Sequence, residues 1–195
     1  MRLLLLGDLA GTGFGTVTQD LDRALIAQDV DVRFLSLNET PEALPEPFAS
    51  RTALLGQPDG WLAMDEGIKA KLDAMFTGGL FEDHWAPEAA IVIGDIASLK
   101  MSPILGLVPK GFPAWNYVPI EGVGLPPRWA IYWNVLRPIA MSEFGATEIE
   151  RVMGVKPPVV YHGVDTDAFW PASGLWPIVL KGRGAIHRLE SKRDC

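Results

Sequence analysis

Residues 3–6 are four consecutive leucines, closed by Gly7-Asp8. A run with no polar position predicts a strand buried on both faces. Thr16 and Gln19 stand at capping-box spacing, and Val17, Leu21, Ala24 and Leu25 share one helical face, so a helix is expected from Thr16. Residues 31–37 alternate and predict a second strand. Residues 38–60 carry Pro41, Pro45, Pro47 and Pro58 and predict an irregular loop over the sheet's carboxyl edge. Trp61, Met64, Ile68, Leu72 and Met75 then recur at helical spacing up to Gly78-Gly79, a helix stop. Residues 89–93 and 114–118 predict two more strands. Pro126-Pro127 opens a helix through Trp133, residues 138–141 give the next strand, and Ser142 caps a helix over Ile149, Val152 and Met153 that ends at Gly154. Residues 159–161 predict a last strand.

Strand and helix alternate throughout, without internal repeats. That alternation predicts an α/β fold, a doubly wound parallel sheet of Rossmann-like form with right-handed crossovers. The 195 residues suit one α/β unit, and 48% apolar with 21% charged residues is ordinary for a globular protein. The early leucine run is too short for a signal sequence, and nothing approaches the length of a membrane span. The single Cys195 excludes an internal disulfide and fits a cytoplasmic setting. Residues 1–173 hold 12 Lys/Arg against 22 Asp/Glu, and residues 174–195 hold 5 against 2. An acidic body argues against nucleic acid, which needs basic groups to neutralise phosphate, and against an anionic lipid surface.

In doubly wound sheets, ligands sit outside the carboxyl ends of the strands. Four loops therefore become site candidates. The first is Gly7-Asp8-Leu9-Ala10-Gly11-Thr12-Gly13-Phe14-Gly15. Its glycines either serve a tight turn or let the backbone approach a ligand, with the following helix offering N–H groups to an anion. The spacing is neither the dinucleotide G-x-G-x-x-G nor a P-loop. In the second loop, Asp95 could accept a proton or hold a sugar hydroxyl, or cap the following helix. In the third, Glu121 is a carboxylate in the loop that follows a strand, most commonly explained as a solvated loop residue. In the fourth, Ser142 is most simply a cap, and Glu143 favours the helix dipole.

Asp165-Thr166-Asp167 could grip a divalent metal. Its place after the last strand favours a structural turn instead, with Gly163, Asp165 and Asp167 pinning the backbone. His162 fits a hydrogen-bonding role at this junction. His84 and His187 have no partners at ligand spacing, so no metal site is expected. The tryptophans read as core or interface, with Trp129 and Trp133 paired i,i+4 on one helix.

The Gly-rich first turn, together with Ser142-Glu143-Phe144 and the stretch from His162-Gly163-Val164-Asp165-Thr166-Asp167 to Ala168-Phe169-Trp170-Pro171, resembles the first Rossmann domain of retaining glycosyltransferases of the two-domain GT-B class, family 4 in particular. The resemblance spans residues 1–171; between its ends it rests on the order of elements. It departs from the family at Asp95, where a histidine is frequent, and at His162, where asparagine is usual. It implies that residues 1–171 are an N-terminal, acceptor-side domain. Residues 172–195 would be an interdomain linker and the truncated start of a second Rossmann domain.

The activity implied is transfer of a hexose from a sugar nucleotide, a UDP- or GDP-sugar, to an acceptor hydroxyl, with retention and without a required metal or tightly bound cofactor. Gly11, Gly13, Phe14, Gly15 and Thr16 would face the donor diphosphate and the acceptor, Asp95 would be the catalytic candidate, and Glu121 would bind acceptor. The paired glutamates that grip the donor belong to the second domain, so this chain alone is expected to be inactive. Its exposed domain face could support self-association, with the apolar segment 175–180 packing on the domain or between chains. The competing reading is a non-catalytic Rossmann-type binding module left by truncation or splitting. A Rossmann-type oxidoreductase or epimerase is disfavoured by the glycine spacing and the lack of a matching acidic ribose ligand.

Overall fold

Leu3 and Leu5 pack into one apolar cluster, and Leu4 and Leu6 into another, because successive side chains of a strand point to opposite faces. The computed structural model describes residues 1–9, 12–36, 44, 46–54, 70–71, 73–95 and 108–163. The leucine run lies in β1 (Arg2–Gly7), a central strand with apolar layers on both sides. With it run β2 (Asp31–Ser36), β3 (Thr52–Leu54), β4 (Ala89–Ile93), β5 (Ala114–Val118) and β6 (Arg137–Ala140). All pairings are parallel, in the order β3-β2-β1-β4-β5-β6. This is the expected α/β, doubly wound class. The chain divides into two compact units, Met1–His162 and Gly163–Cys195. The sheet belongs to the first.

Winding runs outward from β1 to β3, then returns to β4 and runs the other way. With one crossover hand kept, that reversal places the early helix on one face and the later helices on the other. Leu21 and Leu25 of α1 (Gly13–Ile26) pack with Leu3, Leu5, Val32 and Phe34. On the opposite face Met75, Trp133 of α2 (Ala130–Trp133) and Ala146 and Ile149 of α3 (Glu143–Met153) cover Leu4, Leu6, Val92 and Val118.

The stop at Gly78-Gly79 forms as expected. Residues 70–71 and 73–76 are helical. The Gly79 amide then donates to the Ala74 carbonyl at 2.7 Å and the Gly78 amide to Met75 at 3.3 Å. This pair of bonds is the Schellman closure, and Gly78 supplies the left-handed residue at φ +76. A Cβ there would lie 2.8 Å from the His84 carbonyl oxygen, so both conformation and space require glycine. Trp61, Met64, Ile68 and Leu72 lie outside the described residues.

Three local expectations are corrected. Helix α1 starts at Gly13, not Thr16: Thr12 is extended and its Oγ1 accepts the Gly15 amide at 3.0 Å. Gln19 closes no capping box; its Nε2 donates to the Leu9 carbonyl at 2.9 Å. The apolar stripe hid this start, because glycines carry no side chain to mark a face. The proline-rich stretch is not wholly irregular, since a 3-10 turn (Ala49–Arg51) and edge strand β3 lie within it. Finally, the strand expected at 159–161 shrinks to one bridge between Val159 and Ala140. Pro157 and Pro158 precede that bridge, and Pro158 has no N–H to give the ladder.

A buried ion pair ties α1 to the segment before β3. Asp22 is 2% exposed, and its two carboxylate oxygens accept from Arg51 Nη1 and Nη2, each at 2.8 Å. The guanidinium also donates to the Val32 carbonyl and lies over the rings of Phe34 and Phe48.

Candidate functional site

Winding direction reverses between β1 and β4, so the loops leaving those strands depart towards opposite faces and open a crevice at the carboxyl edge. The two ends are tightly packed. A Cβ on Gly7 would meet the Ile93 carbonyl oxygen at 3.2 Å and the Ile93 Cβ at 3.3 Å, so glycine lets the strands close up.

Beyond β1, Thr12 Oγ1 lies 3.4 Å from Asp8 Oδ2 while it caps α1. Gly13, Phe14, Gly15 and Thr16 form the first turn of the helix. Thr16 donates from its amide and its hydroxyl to the Thr12 carbonyl, at 3.0 and 3.1 Å. Gly13 is exposed, and a Cβ there would meet nothing within 4 Å. Gly11 lies outside the described residues.

Beyond β4, Gly94 holds φ +136, a conformation that L side chains rarely adopt. Asn116 underlies this turn. Fully buried on β5, it donates from Nδ2 to the carbonyls of Val92 and Gly94, both at 3.2 Å. Its Oδ1 accepts from Trp133 Nε1 at 3.2 Å. The amide thereby ties β4, the turn that leads into Asp95, and α2 together.

Asp95 lines a cleft of about 310 Å³, with Pro119, Ile120, Glu121, Gly122, Val123, Gly124, Leu125, Pro126 and Trp129. The cleft brings together Asp95 and Glu121, two candidates 26 positions apart in the chain. Asp95 is half-buried and Glu121 exposed. Residues 96–107, and with them the question of whether Asp95 caps a helix, lie outside the described residues. The first turn of α1 does not contribute to the described lining. Trp129 does. Its ring is half-buried, edge-on to Trp133 at 6.0 Å between centroids, so it is a cleft wall as well as a core contact.

Ser142 caps α3 through its Oγ, which accepts the Gly145 amide at 3.1 Å. Glu143 opens that helix and accepts from Lys156 Nζ at 2.8 Å; this bond holds the exposed lysine above its usual range. Neither residue lines the cleft. Near the carboxyl end of β5, Tyr117 donates its hydroxyl to the Val160 carbonyl at 2.9 Å. With that proton committed, His162 Nδ1, 3.2 Å away, is the donor to the phenol oxygen. His162 is thus hydrogen-bonded to β5 within the first unit. Gly163 is the last described residue, and Asp165 and Asp167 lie beyond it.

Sequence reasoning missed Asn116, Glu148 and Gly124. A buried polar residue in an apolar strand is invisible without its partners. The Gly122-Val123-Gly124 triplet between prolines was a usable sign of a shaped loop. No helix among the described residues is long and apolar enough to cross a membrane. No protein-family model matches the chain, and no curated protein matches it in sequence.

Proposed function

We propose that this chain is the acceptor-side, Rossmann-like domain of a retaining GT-B glycosyltransferase resembling family 4. The observation that supports this most is the cleft at the carboxyl ends of β4 and β5, where Asp95 and Glu121 share one lining with the ring of Trp129. Carboxylates accept hydrogen bonds from hydroxyl groups, and an indole face covers the apolar face of a sugar ring. The volume is at the small end for ligand sites, enough for one ring. The described lining has two carboxylates and no Lys, Arg or His, which favours a neutral acceptor over an anionic one.

In this reading the acceptor hydroxyl lies against Asp95, which orients it and accepts its hydrogen bond, and Glu121 holds a second hydroxyl. The donor is a UDP- or GDP-sugar whose diphosphate faces the first turn of α1, Gly13 to Thr16, and whose nucleotide is held by a second domain. The acceptor oxygen forms the new bond to the anomeric carbon on the face the leaving group vacates. The bond from that carbon to the diphosphate oxygen breaks, the nucleoside diphosphate departs, and the acceptor proton passes to its phosphate. No metal is required.

The test is titration of the chain with methyl α-glucopyranoside and methyl α-mannopyranoside, followed by amide NMR. Shifts should concentrate at Asp95 and at 120–125, and Asp95→Ala and Glu121→Ala, which remove the acceptor oxygens, should each weaken binding about tenfold, the worth of one charged hydrogen bond. Absence of any shift at these positions would sink the acceptor reading. Binding without hexose transfer when a donor-binding domain is supplied would favour a non-catalytic module.

A further inference from the structure

The loop that walls the cleft is held from behind by a buried carboxylate. Glu148, in the second turn of α3, is 2% exposed, and its Oε2 accepts the Gly124 amide at 3.0 Å. Its Oε1 pairs with Arg151, whose side chain is largely exposed. On the same helix, Gly145 lies so close to the loop that a Cβ would meet Ile120 Cβ at 3.3 Å. Two separated contacts therefore press α3 against residues 120 and 124, on either side of Glu121. Gly124 sits at φ +79 with open space around its Cα, so it is glycine for conformation and not for lack of room.

A carboxylate is a poor choice for this position on stability grounds alone. Its neighbours on the helix, Ala146 and Ile149, are fully buried and apolar. An apolar residue of similar volume in place of a buried ion often leaves stability unchanged or improved. What an apolar side chain could not do is accept the N–H of Gly124 and fix the loop's left-handed turn.

We propose that Glu148 is a positioning residue. It holds residues 119–126 in the shape that forms the cleft, and thereby sets where Glu121 is presented to a ligand. It acts through the Gly124 amide and does not touch the ligand. The link to ligand binding rests on the acceptor reading above; the brace itself does not.

Amide hydrogen exchange at Gly124, referenced to Val92 in β4, tests the brace in wild type, Glu148→Gln and Glu148→Asp. Glutamine keeps an oxygen at the same reach, whereas aspartate is one methylene short. Exchange at Gly124 relative to Val92 should rise about tenfold or more in Glu148→Asp, the loss of one hydrogen bond to a charged group, and rise clearly less in Glu148→Gln, whose neutral oxygen still accepts. The reference matters because general destabilisation would speed both amides together. Equal ratios in all three proteins would overturn the proposal, and so would equal loss in both variants.

The same three proteins are then titrated with methyl α-glucopyranoside and methyl α-mannopyranoside. Weaker binding by Glu148→Asp, restored in Glu148→Gln, is the expected result. Wild-type binding that Glu148→Asp leaves intact would overturn the link to the cleft. Absence of binding by the wild type would remove the acceptor reading and with it that link, while the exchange ratios still decide the brace.

Discussion

Asn116 shows how much one buried side chain can decide. Both its amide hydrogens and its oxygen are directed inward, to two carbonyls of the β4 end and to the indole of Trp133. Asn116→Ala leaves the Trp133 N–H without its partner in the interior, and buried donors so stranded cost about 1–3 kcal/mol each. We predict a loss of about 2–4 kcal/mol in total, or roughly 4–16 °C in melting temperature at this chain length. A calorimetric shift below about 2 °C would mean that water or repacking replaces the network. Tyr117 gives a prediction in pH. Burial raises its phenol above the usual value, so folding favours the neutral form. Its share of stability is whole below about pH 10, the ordinary phenol range, and is lost as pH climbs from there through the raised value. Tyr117→Phe should flatten that part of the alkaline stability curve while lowering stability near neutrality through the lost bond to Val160. Parallel curves for the two proteins between pH 9 and 11 would show that burial of the phenol does not drive the decline.

Between elements, the pair of Asp22 and Arg51 is the clearest case. It joins α1 to the segment entering β3, across 29 positions of chain. Asp22→Ala would leave the guanidinium confined by Phe34 and Phe48 without its counter-charge. Breaking a buried pair costs about 3–5 kcal/mol; with Arg51 a fifth exposed, a loss of about 2–4 kcal/mol is expected. Removing both charges, as Asp22→Leu with Arg51→Met, should recover most of that loss. A double variant no more stable than Asp22→Ala, by urea unfolding, would mean that the pair itself carries the stability. This element-level lock was outside the reach of sequence reasoning, because nothing local marks Asp22 as the partner of Arg51. Edge strand β3 was missed for a related reason: three residues give no period, and their pairing with Phe34, Leu35 and Ser36 is what makes them a strand. By contrast β4 and β5 match the expected bounds residue for residue, since each is a short β-rich run between turn residues. Ser142 and Gly154 close α3 where expected, because caps are local chemistry.

For the molecule as a whole, the order of the sheet predicts the order of its opening. β1 and β4 are central, each flanked by two strands and covered on both faces, whereas β3 and β6 lie outermost in the described sheet. Amide exchange should be slowest at Leu4, Leu5, Leu6 and Val92 and fastest among strand residues at Thr52 and Ala53. Protection at β3 equal to that at β1 would mean that the sheet opens as one unit. What the sequence by itself determined was local and periodic: the leucine run had to be buried on both faces, alternation of strand and helix required a doubly wound parallel sheet, and the caps set where α3 begins and ends. Asp95 and Glu121 were also visible as carboxylates following strands. Their meeting in one cleft was decided only by tertiary structure, because β4 and β5 become neighbours through sheet order. So was the support behind that cleft. A hydrogen bond from Gly124 to Glu148, or from Trp133 to Asn116, depends on where the packed elements leave a polar atom with no water to turn to, and no spacing along the chain records that.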